Sequence, residues 1–374
     1  GMDASWDVAR TPSSARRLVL NRATLTEPLQ HLHLTSLRLS LAMPDLELML
    51  VEWPPNLRKL RLSMVQLFDS FSVARLPSSL RQLTAPMGSN ALLKLPPKLT
   101  YLKVPQCEVH PTYGYALPNT LKTLIISHGA FSARCFVLLP RGLKTLHVPT
   151  LNPVSPEQIA ELPLDLEDLA LGTVTGFQLT RLPVALPPAL TALSLESPTL
   201  KESCLADMPR TLTSLNFISG AGWSAGQVIR FLPRTLKLRT LLLPVSTDWT
   251  DALLGELPAS LSALTLGESP LLFSDGFGQL PNLTSLQMGA PNITPQGAFA
   301  LPRHLTSLTI SRSNLDASGI AGLPRSLTRC VLASRKYFPP FTAKDAEAFP
   351  PLCRHYSQGN GAYRYPDLRD LEQP

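Results

Sequence analysis

The chain predicts an α/β solenoid: one elongated domain with a parallel β-sheet on its concave face and short helices or turns on its convex face. Three observations carry the prediction. A proline preceded by an apolar residue marks thirteen positions from Pro54 to Pro324, spaced 19 to 25 residues apart, and a fixed period of this size is the sign of stacked units. After most of these prolines comes a run in which leucines alternate at Leu-x-x-Leu-x-Leu spacing, as in Leu121-x-x-Leu124-x-Ile126. Finally, 44% apolar residues with only 6% aromatics and 37 prolines describe a leucine-built stack rather than a globular enzyme.

Taken in order, residues 1–33 read as an N-terminal cap, or as a leader followed by a first strand, polar at Thr11, Ser13, Ser14, Arg16 and Arg17 and ending in Leu18-Val-Leu20. Residues 34–332 read as the solenoid, about fourteen units opening with the degenerate Leu34-Thr-Ser-Leu37-Arg-Leu39. In each unit the Leu-x-Leu step sends both leucines to one face of a short strand and the residues between them to the other. The strands stack in parallel because each must travel round its own coil before returning. At about 2 kcal/mol per buried leucine, three or four per unit supply the stabilisation. Proline fixes its own φ and extends the residue before it, which ends the returning segment before the next strand.

Between strand and proline, Pro156–Leu162, Asp251–Leu257 and Pro295–Leu301 have room for about two helical turns and begin with Pro or Asp, so short helices are expected there. Asn90–Leu95 has room only for a turn. Two units break register. Leu236–Leu241 carries two extra residues, predicting a bulge, and Pro281-Asn-Leu283 lacks one, predicting a shortened turn. Residues 333–374 read as a C-terminal cap or tail holding seven of the 20 Phe and Tyr residues (Tyr337, Phe338, Phe341, Phe349, Tyr356, Tyr363, Tyr365). Covering an exposed solenoid end is their expected role, with docking of a partner as the alternative.

The repeats carry a resemblance. Leu143-x-x-Leu146-x-Val148, Leu190-x-x-Leu193-x-Leu195 and Leu261-x-x-Leu264-x-Leu266 resemble the strand motif of leucine-rich-repeat proteins, which implies a curved horseshoe. The recurrent Leu-Pro-x-x-Leu-x-x-Leu looks like LPX-type bacterial effectors and FNIP repeats. Asn292–Leu301 is similar to the ribonuclease-inhibitor and GALA types. The chain departs from the family where an asparagine is usual, three residues after the strand's last Leu, with Val65, Gly129, Leu151, Val174, Pro198 or Ser313 instead. That asparagine satisfies turn amides, so water or tighter turns must replace it. LPX effectors that act as ubiquitin ligases have a large helical catalytic domain after the repeats. About 40 residues follow the repeats here, less than a domain.

Composition narrows the function. No run approaches the roughly 18 apolar residues of a membrane span. The start shows no secretory h-region, and the five scattered cysteines lack metal or disulfide spacing, so a cytoplasmic, reducing setting is expected, with delivery of a secreted effector to a host as the alternative. No cofactor, metal or catalytic centre is expected. Gly222-Trp-Ser224-Ala-Gly226 matches the G-x-S-x-G nucleophile elbow of serine hydrolases, but it falls where every unit has its small-residue turn and the seven histidines are scattered. Net charge is +7, with 17 Lys and Arg against 8 Asp and Glu in residues 1–150 and 7 against 13 in residues 151–300.

The basic residues fall on the strands' outward positions: Arg38; Arg58, Lys59 and Arg61; Arg81; Tyr101 and Lys103; Lys122; Lys144 and His147; then Glu167 and Asp168. Stacking aligns them into one basic stripe on the concave face, which is the usual binding face of a solenoid. The expected function is a non-enzymatic scaffold, a monomer, binding a protein with an acidic patch. Nucleic acid or anionic lipid on the same stripe is the alternative, weakened by the acidic middle section and by Tyr101 as the single concave aromatic. The other possibility is that Lys and Arg merely solvate an exposed sheet and block edge pairing.

Overall fold

The structure is a computed structural model and describes residues 5–6, 11–12, 14–25, 29–30, 32–41, 52–63, 69–107, 109, 117–151, 156–174, 186–196, 202–219, 224–233, 235–243, 248–268, 275–289, 293–313, 315, 317–334, 349–351 and 355–357. Contacts divide the chain into two compact units, residues 1–176 with 186–190, and residues 177–185 with 191–374. Each is built from parallel strands laid one per repeat.

In the first unit the strands are β1 (Ser5–Trp6), β2 (Arg17–Leu25), β3 (Ser36–Leu41), β4 (Lys59–Ser63), β5 (Gln82–Thr84), β6 (Tyr101–Val104), β7 (Thr123–Ile126), β8 (Thr145–Leu151) and β9 (Asp168–Val174). Every consecutive pair is parallel. Register stacks like on like: Leu37, Leu60, Leu83, Leu102, Leu124, Leu146 and Leu169 form one column, each at most 2% exposed. The ladder also includes β2, where Leu18 and Leu20 sit beside Leu37 and Leu39. The second unit repeats the plan with β10 (Ala192–Glu196), β11 (Ser214–Ser219), β12 (Thr240–Leu243), β13 (Ala263–Glu268), β14 (Ser285–Gly289), β15 (Ser307–Ser313), β16 (Arg329–Ser334) and β17 (His355–Ser357), again all parallel. Repeat, strand register and leucine columns together make this a leucine-rich-repeat solenoid fold.

The segments between strand and proline follow the start signals. Helices α2 (Pro156–Ala160), α4 (Asp251–Leu254) and α5 (Pro295–Ala300) lie where Pro or Asp opens the run, and Ser89–Lys94 makes only a 3-10 turn. The sequence reading missed α1 (Ser70–Ala74), α3 (Ala225–Phe231) and α6 (Ala317–Ala321). Two of these have side-chain caps: Asp69 accepts from the Ser72 amide at 2.8 Å, and Ser224 accepts from the Gln227 amide at 3.1 Å. The hydrogen bonds from Ser72 hold the Asp69 carboxyl below the usual range.

Two hydrogen-bond devices recur. After the proline, the amide of the leucine three residues on donates to the proline carbonyl, as in Leu80 to Pro77 at 3.0 Å, and so closes the turn into the strand. Just before that leucine a hydroxyl reaches back to the preceding repeat: Ser79 donates to the carbonyls of Pro55 and Leu57, Thr120 to those of Pro97 and Leu99, and Ser326 to those of Arg303 and Leu305. The units with odd lengths resolve differently from one another. The two extra residues before β12 make no bulge. Leu236 and Leu238 are both buried ahead of the strand, and β12 pairs in unbroken register with β11 and β13. Lengthening the turn costs no strand bond, so the ladder wins. The short unit has no shortened turn: the Leu283 amide donates to the Leu280 carbonyl at 3.2 Å over the same three-residue span as in the other units, and the turn starts one residue earlier, ahead of the proline.

At the turn where the asparagine is missing after β6 and β7, backbone takes over its work. The Cys107 amide donates to His128 at 3.0 Å, and Val109 forms a parallel bridge with Phe131. Gly129 permits this with φ of 114°, and a Cβ there would collide with the Cys107 carbonyl. Gly129→Ala is therefore expected to lower unfolding stability by more than about 1 kcal/mol, read from urea denaturation. An unchanged midpoint would show that this turn gives way freely. The aromatic tail lies outside the described residues except for Phe349, which is buried, and Tyr356 in β17.

Candidate functional site

Opposite the leucine core, the outward residues of the first unit fall into rows set by register. One row runs through Val19, Arg38, Arg61, Thr84, Lys103, Ile125, His147 and Ala170. Two residues earlier on each strand, the second row runs through Arg17, Ser36, Lys59, Gln82, Tyr101, Thr123, Thr145 and Asp168. Neighbouring members of a row are about 4.8 Å apart.

The remaining sequence-derived residues do not join these rows. Arg58, Arg81, Lys122, Lys144 and Glu167 precede their strands and form a third column along the strands' leading edge. Here each backbone carbonyl takes two amides from the next repeat: those of Arg58 and Lys59 bond Thr35, those of Arg81 and Gln82 bond Arg58, and those of Glu167 and Asp168 bond Lys144. The sequence reading merged this column with the other two because all occupy x positions of the same motif. The first strand expected to follow the leader is β2, which Arg17 opens in register with Ser36. The apolar alternation of Leu18-Val-Leu20 was the signal for that strand.

The two ends of the stripe differ. At the β8–β9 end the side chains are partnered: Lys144 Nζ lies 2.8 Å from Glu167, which raises the Lys144 pKa, and His147 Nε2 is within hydrogen-bond distance, 3.0 Å, of Asp168 Oδ2. Ile125, His147 and Ala170 are buried, and Lys122 donates to the Gly142 carbonyl at 3.1 Å. At the β3–β5 end, Arg38, Arg58, Lys59, Arg61 and Arg81 are exposed, and no carboxylate among the described residues pairs with them. Arg38 and Arg61 stand directly opposite each other. Farther along, burial lowers the Lys103 pKa and the nearby Arg61 charge adds to the effect, while burial raises that of Tyr101 against the opposing pull of Arg61.

Five hydroxyls just ahead of strands of the second unit are occupied on backbone. Thr213, Ser262, Thr284, Thr306 and Thr328 each donate to the carbonyl of the preceding repeat at 3.1–3.2 Å. Ser224 caps α3, with the Ser224 amide donating to Gln227 at 2.7 Å in return. The adjacent Ala225 amide donates to the Asp248 carboxylate. No histidine among the described residues bonds the Ser224 hydroxyl. Among the described residues no group of three His, Cys, Asp or Glu is placed to hold a metal, and no described helix is long and apolar enough to cross a membrane.

No protein-family model matches the chain, and no curated protein matches it. Among solved structures it is similar to the protein of the TLR13–ssRNA13 complex, at 19% identity over 96% of this chain and 59% of that one, with a TM-score of 0.49. It is also similar to an internalin, InlF, from Listeria monocytogenes, at 18% identity over 87% of each chain and a TM-score of 0.45. CroV588, a circular leucine-rich-repeat protein, is similar at 18% identity over 96% of this chain and 55% of that one, with a TM-score of 0.45. The chain thus spans little more than half the length of the first and last of these.

Two outcomes follow. Arg38→Gln, which removes a like-charge pair, is expected to raise stability by about 0.2–1 kcal/mol in low salt, and the gain should fade as salt screens the wild-type repulsion. A loss of stability would mean that Arg38 is held by a favourable contact instead. For Ser224, removing the cap with Ser224→Ala should cost about 1 kcal/mol in urea unfolding, and the wild type should take up no fluorophosphonate label. Stoichiometric labelling would reinstate the hydrolase reading.

Proposed function

We propose that the chain is a non-enzymatic binding scaffold whose partner, a protein with an acidic patch, docks on the outward sheet face over β2–β6. One observation carries this: Arg38, Arg58, Lys59, Arg61 and Arg81 are brought together by register and left without carboxylates among the described residues, while the side chains at the β8–β9 end are partnered. Aligned like charges cost stability, and a partner that neutralises them recovers that cost on binding. The Leu-Pro resemblance to LPX-type effectors supports a cytoplasmic, host-facing role by analogy.

The test is affinity capture from native lysate, with and without nuclease, comparing wild type with Arg58→Glu/Lys59→Glu/Arg61→Glu/Arg81→Glu, after circular dichroism has shown matching folds. A protein captured by wild type and lost by the variant, whether or not nuclease is present, is the expected result. Capture retained equally would remove this face from consideration, and capture abolished by nuclease would turn the reading to nucleic acid.

A further inference from the structure

Within the basic face one position stands apart. β5 is three residues long and contributes Gln82 and Thr84 to the outward rows, uncharged side chains set between charged strands. Thr84 is flanked in its row by Arg61 on β4 and Lys103 on β6, with Arg38 one strand beyond Arg61. Register puts the Arg61 and Lys103 backbones about 10 Å apart across Thr84. A short side chain between two long cationic ones leaves a trough one strand wide, with a hydroxyl on its floor. That hydroxyl has no hydrogen-bond partner among the described residues, whereas those of Thr35 and Thr100 donate to the Arg16 and Arg81 carbonyls at 3.1 and 3.0 Å. Half-buried Tyr101 lies on the same face of β6 two residues before Lys103, beside Gln82 in the second row.

We infer that this trough is a subsite for one phosphomonoester-type oxyanion, with Thr84 as the floor donor, Arg61 and Lys103 as the walls and Arg38 as outer support. The inference rests on the binding reading above and specifies its ligand chemistry. Donors from two sides and from below match an anion with three or four acceptor oxygens better than a planar carboxylate, and the Arg61 fork can bind two of those oxygens at once. The favoured source is a phosphorylated protein segment, because an unstacked nucleic acid calls for several aromatic platforms and these rows offer Tyr101 alone.

The experiment titrates the full chain with inorganic phosphate at constant ionic strength, following the phosphorus resonance. The same titration is then run with a phosphoserine peptide, its unphosphorylated twin, dimethyl phosphate and a single-stranded oligonucleotide. Saturable phosphate binding is expected, weakened at least tenfold by Arg61→Gln and by Thr84→Val, restored by Thr84→Ser and unchanged by Arg141→Gln. Urea midpoints verify that each variant is folded. A phosphopeptide that binds more tightly than free phosphate identifies a protein source, and equal affinities identify a small-molecule source; either result supports the subsite. Binding that does not saturate, that ignores Arg61→Gln and Thr84→Val, or that favours dimethyl phosphate or the oligonucleotide overturns it. Loss of captured protein in the charge-reversal variant without phosphate binding would sink the subsite alone. Phosphate binding with capture unaffected would sink the docking reading and leave the subsite standing.

Discussion

One backbone interaction sets the terms for everything else: the carbonyl just ahead of each strand accepts two amides from the following repeat. Thr35 receives Arg58 and Lys59, Lys122 receives Lys144 and Thr145, and Thr284 receives Thr306 and Ser307. A doubly bonded acceptor at the strand's entrance leaves no freedom to slip by one residue, and a slip of one would turn every leucine outward. With register pinned, leucine lies beside leucine in buried columns. The same pinning decides which surface residues become neighbours, so the charge pattern is a consequence of the entrance bond as much as the core is.

That dependence explains the uneven legibility of the sequence. Strand positions could be read directly because Leu-x-x-Leu-x-Leu fixes both period and face, and the helices at Pro156, Asp251 and Pro295 were visible from their first residues. The division of the outward residues was harder to see. Arg58 and Lys59 are adjacent in the motif, yet one belongs to the leading edge and the other to the sheet face, and only the cross-strand bonds separate them. The two residues added before β12 misled for a related reason. Counting shows that a unit is longer but not where the length goes, and the ladder is too costly to interrupt when the turn can absorb it.

The trough at Thr84 was invisible at the level of motif, since Thr84 follows Leu83 like any other outward residue. Its significance comes from what stands on the strands either side, and those residues lie about twenty positions away in both directions. Isolated charges on a solvated sheet would be spaced to avoid one another. Here Arg38 and Arg61 are in direct register, an arrangement that the fold tolerates because the leucine columns supply ample stability beneath it.

The hydroxyl clasps described for Ser79, Thr120 and Ser326 have a bearing on how the stack comes apart. A linear array melts by boundaries that travel from one unit to the next, and each interface sets a toll on that travel. At the clasp position the first unit also carries Asn56, Lys98, Gly142, Asp165 and Ala189, none with a hydroxyl. Clasped and unclasped seams therefore alternate at first and then give way to three unclasped ones in succession, at Gly142, Asp165 and Ala189. The clasps at Ser79 and Thr120 bracket β5 and β6, which pair through three positions, whereas β8 and β9, without a clasp, pair through six. The fold thus adds side-chain joints beside the short strands that carry Thr84 and Lys103.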